Sequence, residues 1–195
     1  VRPFLFKGEP MAVGEVEFLR WVDLAAPEQW SDQLDAIFFE ASLTKSFADA
    51  TARAAFRERW LGRYLVADPA LAHVALLGSP RGARHIVGYL VGALDDPART
   101  ARFDDVGYFP LLAEWTARFP AHLHINLAPE ARGRGIGREL VERFARDVAA
   151  AGVPGFHVVT GAASRNVSFY QLCGLTEAHP FSWNGTALVL LGRAL

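Results

Sequence analysis

Apolar positions recur along this chain with two periods, and the switches between them mark out its elements. Over "GEVEFLRWVDL" (14–24) polar and apolar residues alternate, with Val16, Phe18 and Trp21 among the apolar ones, which predicts a first strand. The next stretch changes period. Trp30, Leu34, Ile37 and Phe38 fall at helical spacing, as do Phe56, Trp60 and Tyr64, so two helices are predicted with a break near 43–46. "AHVALLG" and "RHIVGYLVGAL" are then two β-rich runs joined by "SPRGA", a turn of hairpin length, and are expected to pair antiparallel. From 95 to 120 the chain is polar and aromatic by turns, an excursion with one or two short helices. The second half alternates clearly: strand "AHLHINL", a glycine-rich turn, helix "GRELVERFARDVAAAG", strand "GFHVVTG", helix "SRNVSFYQLCG", a βαβα unit. In its first helix Leu140, Val141, Phe144 and Val148 form an apolar stripe, with Gly152 and Pro154 beyond it as the stop. The last run, "HPFSWNGTALVLLG", holds Asn184-Gly185 between two strand-like segments, a hairpin signal.

Composition narrows the class. The sequence has 195 residues, the length of one well-filled domain; residues 1–12 read as a peripheral arm and 13–195 as the domain. Half of it (51%) is hydrophobic, 21% is charged and the net charge is -1, a globular balance that argues against nucleic acid as the main partner. Cys173 is the sole cysteine, which excludes an intrachain disulfide and fits a reducing cytoplasm. No apolar run reaches the roughly 20 residues of a membrane span, and "VRPFLFKGEP" is too short and too broken by Pro3 and Pro10 to serve as a signal peptide, so no membrane partner is expected. The cations are almost all arginine, Lys7 and Lys45 being the only lysines, a bias that fits a GC-rich bacterial genome.

The stretch with the most specific chemistry is "LAPEARGRGIGREL" (127–140). A turn leading from a strand into a helix gathers backbone N–H groups at the positive end of the helix dipole, a nest suited to phosphate oxygens. Gly133, Gly135 and Gly137 lack a Cβ, so the chain can adopt unusual φ values and a ligand can approach the amides; Arg132, Arg134 and Arg138 add charge at the rim. Neither G-x-x-x-x-G-K-[ST] nor G-x-G-x-x-G is present, which argues against a nucleoside triphosphatase and a Rossmann dehydrogenase.

The spacing present is R-x-x-G-x-G-like, as Arg132-Gly133-Arg134-Gly135-Ile136-Gly137, after "INLAPEA". This resembles the acyl-CoA signature of the GNAT superfamily of N-acetyltransferases. A second element agrees with it: Asn166, Tyr170 and Gly174-Leu175 look like the family's later N-x-x-x-Y-x-x-x-G-[FL] pattern, and four residues' separation puts Asn166 and Tyr170 one helical turn apart. The resemblance is strong over 122–175 and topological before that. It implies an α/β, single-domain GNAT-like fold with a mixed, mostly antiparallel central sheet of about six or seven strands flanked by helices. It also implies acetyl-CoA as co-substrate, held by Arg132, Gly133, Arg134, Gly135, Ile136, Gly137 and Arg138 at the pyrophosphate, by Asn126 and Leu127 along the pantetheine, and with Asn166 nearby. A narrower likeness, carried by "FPAHLHINLAPEARGRGIG" behind a long excursion, is to bacterial acetyltransferases related to the C-terminal domain of O-GlcNAcase.

What the resemblance implies for chemistry is transfer of an acetyl group to a primary amine of a small molecule or peptide, by direct attack on the thioester. Tyr170 matches the family's general acid to the departing thiolate. For the base, His122 and His124 share one strand face with Asn126, and His157 sits on the next strand of the βαβα unit; an imidazole titrating near neutrality suits the role. Three histidines also invite a zinc reading, but acetyl transfer needs no metal and none is expected. Phe39, Trp60, Tyr108, Phe109 and Trp183 are candidate linings of the acceptor site, against the plainer alternative that they fill the core. Cys173 reads as a small core residue. The family resemblance allows a homodimer through terminal strands. The rival reading is a catalytically degenerate CoA-binding or regulatory domain.

Overall fold

A computed structural model describes residues 16–78 and 83–195. The expected arm over 1–12 and most of the "SPRGA" turn lie outside the described residues. Seven strands form one sheet: β1 (Val16–Arg20), β2 (His73–Gly78), β3 (Arg84–Ala93), β4 (Ala121–Leu127), β5 (Gly155–Gly161), β6 (Glu177–Trp183) and β7 (Thr186–Ala194), in the order β1-β2-β3-β4-β5-β7-β6. All neighbours are antiparallel except β4 and β5, which run parallel as the βαβα reading requires. At the β6–β7 turn Asn184 and Gly185 both take positive φ (47° and 75°), the backbone that a two-residue hairpin needs.

The first helix, α1 (Ser31–Ala41), buries Leu34, Ile37 and Phe38, three of its predicted stripe. The second is not uniform. It begins at α2 (Ala50–Arg57), whose first turn is capped by Asp49 accepting from the Ala52 N–H at 2.7 Å. It then widens into a π-helical turn over Glu58–Gly62 and resumes as α3 (Arg63–Ala67). One extra residue in a turn rotates the helix beyond it, so Trp60 is half-buried and Tyr64 fully buried despite their regular spacing. The 95–120 excursion contains the short helix α4 (Ala113–Arg118) and two tight 3-10 turns, Ala101–Phe103 and Phe109–Leu112.

The sheet separates two cores. On one face lies α5 (Ile136–Ala150), whose stripe Leu140, Val141, Phe144 and Val148 is fully buried against Leu90, Leu123 and Phe156, each side chain contributing about 2 kcal/mol of burial. Beside it packs α6 (Asn166–Leu172), with Tyr170 and Cys173. On the other face α1 and α3 cover Val74, Ile86, Tyr89 and Val91. Strand β4 therefore divides its side chains: Leu123 and its alternate neighbours Ile125 and Leu127 face α5, while His122, His124 and Asn126 face α1–α3.

Between β4 and β5 the sheet comes apart. The two strands pair only at Ala121 with Phe156 and His122 with His157, whereas β3 stays paired with β4 all the way to Leu127. Beyond His122 the two strands leave a cleft in the middle of the sheet.

Candidate active site

The cleft is lined first by backbone. Ala128 donates its N–H to Val87 on β3, so by antiparallel alternation Asn126 and His124 also bond toward β3, and the N–H and C=O groups of Ile125 and Leu127 point into the gap. An open strand edge offers ladder hydrogen bonds to an extended amide-bearing chain. This refines the expectation for Asn126: its backbone belongs to the sheet, and its side-chain amide donates to the Tyr89 hydroxyl at 2.7 Å on the opposite face.

The glycine turn closes one end of the cleft. Gly133 and Gly135 have φ of +74° and +80°, and a Cβ built on either meets nothing within 4 Å; the turn is open to a ligand, and these positions need glycine for their backbone alone. The first intrahelical bond of α5 runs from the Glu139 N–H to the Gly135 carbonyl, which leaves the N–H groups of Ile136, Gly137 and Arg138 without helical partners. Gly137 differs from the other two. It is buried, and a Cβ there would lie 3.0 Å from Phe169 and 3.1 Å from Leu127, so its glycine is required by the packing of α5 on β4. Ile136 points its side chain into the core.

The arginines also divide. Arg132 donates through Nε to the Leu127 carbonyl (3.1 Å) and through Nη2 to Glu40 (2.7 Å), which ties the turn to β4 and α1 and uses two of the guanidinium's five N–H donors. Arg134 and Arg138 are exposed and form no ion pair among the described residues. They are the free cations of the rim.

Asn166 is exposed at the start of α6, its N–H bonded to the Ser164 hydroxyl, and Tyr170 follows one turn later. Tyr170 is 5% exposed, and its hydroxyl makes no hydrogen bond to the described residues. Burial raises its pKa above the usual phenol value, so the hydroxyl holds its proton. Cys173, one turn of helix away, is buried with its thiol pushed up to about 11, the state of an inert core cysteine.

Across β4 the histidines form one cluster. His122 and His157 are register partners with ring centroids 5.6 Å apart, and His122 and His124 are 6.4 Å apart. Tyr64, from α3, places its hydroxyl 3.1 Å from His122 Nε2 and 3.0 Å from His124 Nε2. His157 donates from Nδ1 to the Phe119 carbonyl at 2.6 Å, while His157 Nε2 and His122 Nδ1 have no partner among the described residues. Burial lowers all three imidazole pKa values, His122 well below its ordinary value and His124 and His157 to about 4, with neighbouring histidines adding to the effect on His122 and His124. The near-neutral titration expected of them is absent: they stand neutral at pH 7. Among the described residues no group of three His, Cys, Asp or Glu side chains is placed to hold a metal ion.

Of the aromatics predicted to line an acceptor site, Trp60 packs edge-on against His124 at 5.2 Å, and Tyr108 meets Trp183 at 6.5 Å. Phe109 is buried against His122 and His157 as core. Phe39 lies under the 42–49 loop, in a hollow of about 330 Å³ with Phe47, Lys45 and Arg53. The residue that sequence reasoning missed is Tyr64. It is 58 and 60 positions from the histidines it bonds, and its only signal was a place in a helical stripe.

The same fold recurs in known proteins. The model of the Acetyltransferase (GNAT) family matches residues 17–175, and the chain belongs to that family. Its class of reaction is acetyl transfer, with acetyl-CoA as co-substrate. Solved structures of the same fold include SsHAT (24% identity over 92% of this chain and 98% of that one, TM-score 0.65). A chain of the NatC complex bound to Gag peptide and CoA also matches (16% identity, 93% and 99% coverage, TM-score 0.61). So does an agmatine N-acetyltransferase (14% identity, 92% and 99%, TM-score 0.57). The narrower likeness to the O-GlcNAcase-related group rests on the sequence alone. Among the described residues no helix is long and apolar enough to cross a membrane.

Proposed function

We propose that the chain is an acetyl-CoA-dependent N-acetyltransferase acting on a primary amine of a small molecule or peptide, and that 13–195 is its single catalytic domain. The observation that carries this reading is the cleft between β4 and β5, with a glycine turn at one end and a proton-bearing phenol on α6, the helix that packs on β5. The residues present fit the co-substrate. The open edge at Ile125 and the Leu127 N–H suits the pantetheine amides, the N–H groups of 136–138 with Arg134 and Arg138, unpaired among the described residues, suit the pyrophosphate, and no Cβ obstructs Gly133 or Gly135. When bound, acetyl-CoA supplies the activated acetyl carbon and a thiolate leaving group.

Tyr170 then acts as general acid: its ring is buried, its hydroxyl is protonated at every physiological pH, and that hydroxyl makes no hydrogen bond to the described residues. The acceptor approaches on the His124 face of β4, beside Trp60. An imidazole with a pKa near 4 is too weak to deprotonate a free ammonium, so the amine arrives neutral. His124, supported by His122, takes the proton that nitrogen sheds once it carries positive charge on bonding to the carbonyl carbon. Relatives of this fold named for agmatine and bound to a peptide support either type of acceptor.

The test is a panel of amines with acetyl-CoA, read as free thiol. Amine-dependent thiol release is expected, rising with pH as the amine loses its proton. Tight CoA binding with no thiol released by any amine would select the degenerate binding domain instead.

A further inference from the structure

The histidine cluster contains a hydrogen-bond arithmetic that fixes its protons. Tyr64 Oη lies within bonding distance of two ring nitrogens, His122 Nε2 and His124 Nε2, but a hydroxyl carries one hydrogen. It donates to one imidazole and accepts from the other, so the two rings hold opposite tautomers. Burial keeps that hydroxyl un-ionised. Of the two arrangements, the one that frees a ring nitrogen on the less buried histidine puts the His122 proton on Nδ1, the nitrogen with no partner among the described residues. His122 Nε2 is then bare and accepts the Tyr64 O–H. The Tyr64 oxygen in turn accepts from His124 Nε2–H, and this leaves Nδ1 of His124, the one histidine of the three that is not fully buried, as a lone pair.

We propose that Tyr64 is a positioning residue whose hydroxyl sets the tautomers of His122 and His124 so that the Nδ1 lone pair of His124 receives the proton of the acceptor amine. The inference rests on the acetyltransferase reading. In the step it serves, the amine nitrogen bonds to the acetyl carbon and the C–S pair leaves with sulfur, which takes the Tyr170 proton. The N–H bond breaks toward His124 Nδ1, nitrogen keeping the electron pair. The resulting imidazolium still donates through Nε2–H to Tyr64, so its charge remains hydrogen-bonded in a pocket that otherwise disfavours it. The other groups acting on the cluster are Arg63, Arg102, Asp68, Asp96, Tyr108 and His157. The π-helical turn ahead of Tyr64 is what swings this side chain under β4.

Two measurements test it. In the wild-type protein, imidazole ¹⁵N shifts at pH 7 should show His124 protonated at Nε2 with a bare Nδ1, and His122 protonated at Nδ1; the reverse pair overturns the proposal, and this reading needs no activity. Tyr64→Phe keeps the ring and removes the hydroxyl. It should lower kcat roughly 10- to 100-fold with KM for acetyl-CoA unchanged, and leave His124 with mixed tautomers. A folded Tyr64→Phe protein with wild-type kcat overturns the proposal. If wild type itself releases no thiol with any amine, the acetyltransferase reading fails, and the tautomer measurement still decides the arrangement. If Tyr64→Phe does not fold, the wild-type shifts decide alone.

Discussion

The two faces of β4 show two ways of building a site. Toward the β5 cleft the chain offers backbone: open N–H and C=O groups, a turn with two glycines at positive φ, and the free start of α5. Toward α1–α3 it offers side chains brought together from distant elements, His122 and His124 from β4, His157 from β5 and Tyr64 from α3. The first kind of site is exposed and suits a ligand whose shape is a chain of amides and phosphates. The second is desolvated and controls where protons sit. A single strand serves both because its groups alternate: Ile125 and Leu127 turn their backbone to the cleft, while His122 and His124 give their side chains to the cluster.

Within the glycine turn itself, ligand contact and packing separate between neighbouring residues. Gly135→Val should weaken CoA binding roughly 100-fold in a calorimetric titration and cost about 1 kcal/mol of stability, the strain of a β-branched residue at positive φ in a turn that is otherwise open. Gly137→Val should instead destabilise the fold by about 2–3 kcal/mol, since the added methyl groups meet Phe169 and Leu127; equal melting temperatures for the two variants would contradict this division. Tyr170→Phe should reduce amine-dependent thiol release by on the order of 100-fold with CoA affinity intact, and normal turnover would remove Tyr170 from the role of general acid.

The histidine face predicts a pH effect on stability. His124 and His157 have folded pKa values near 4, below the unfolded value of about 6.5, so between these limits the unfolded chain binds more protons. Stability is therefore full above pH 6.5 and falls as pH drops toward 4, by about 2 kcal/mol per ring between pH 7 and pH 5. Denaturant titrations of wild type and His157→Asn should show a shallower fall in the variant; parallel curves would mean that His157 is not desolvated as described. The smallest effect belongs to the rim. Arg134→Ala should cost about 5-fold in CoA affinity, and the loss should shrink at high salt because the side chain is exposed.

The same division separates the features that are legible in the sequence from those that are not. The strand, turn and helix over 121–150 were legible because period and glycine spacing are local and act through the backbone. Asn184-Gly185 was legible for the same reason. The motif did not say which of its residues meet a ligand: Arg132 holds the turn to Leu127 and Glu40, Gly137 serves packing, and the side chain of Asn126 bonds Tyr89 across the sheet. The histidines were visible as an alternating pair, but their depressed pKa values depend on burial by Tyr64, Phe103 and Phe109, which come from other parts of the chain. The splay between β4 and β5 was likewise hidden, since each strand has an ordinary pattern and only the register shows where pairing stops.

If the cleft and the cluster act on one reaction, both of its products must form together. With acetyl-CoA and the best amine of a panel, free thiol and N-acetylated amine should appear one for one, and neither should form when the amine is left out. Tight CoA binding without amine-dependent thiol would contradict the account, because the backbone site would then work while the proton-handling site has no reaction to serve.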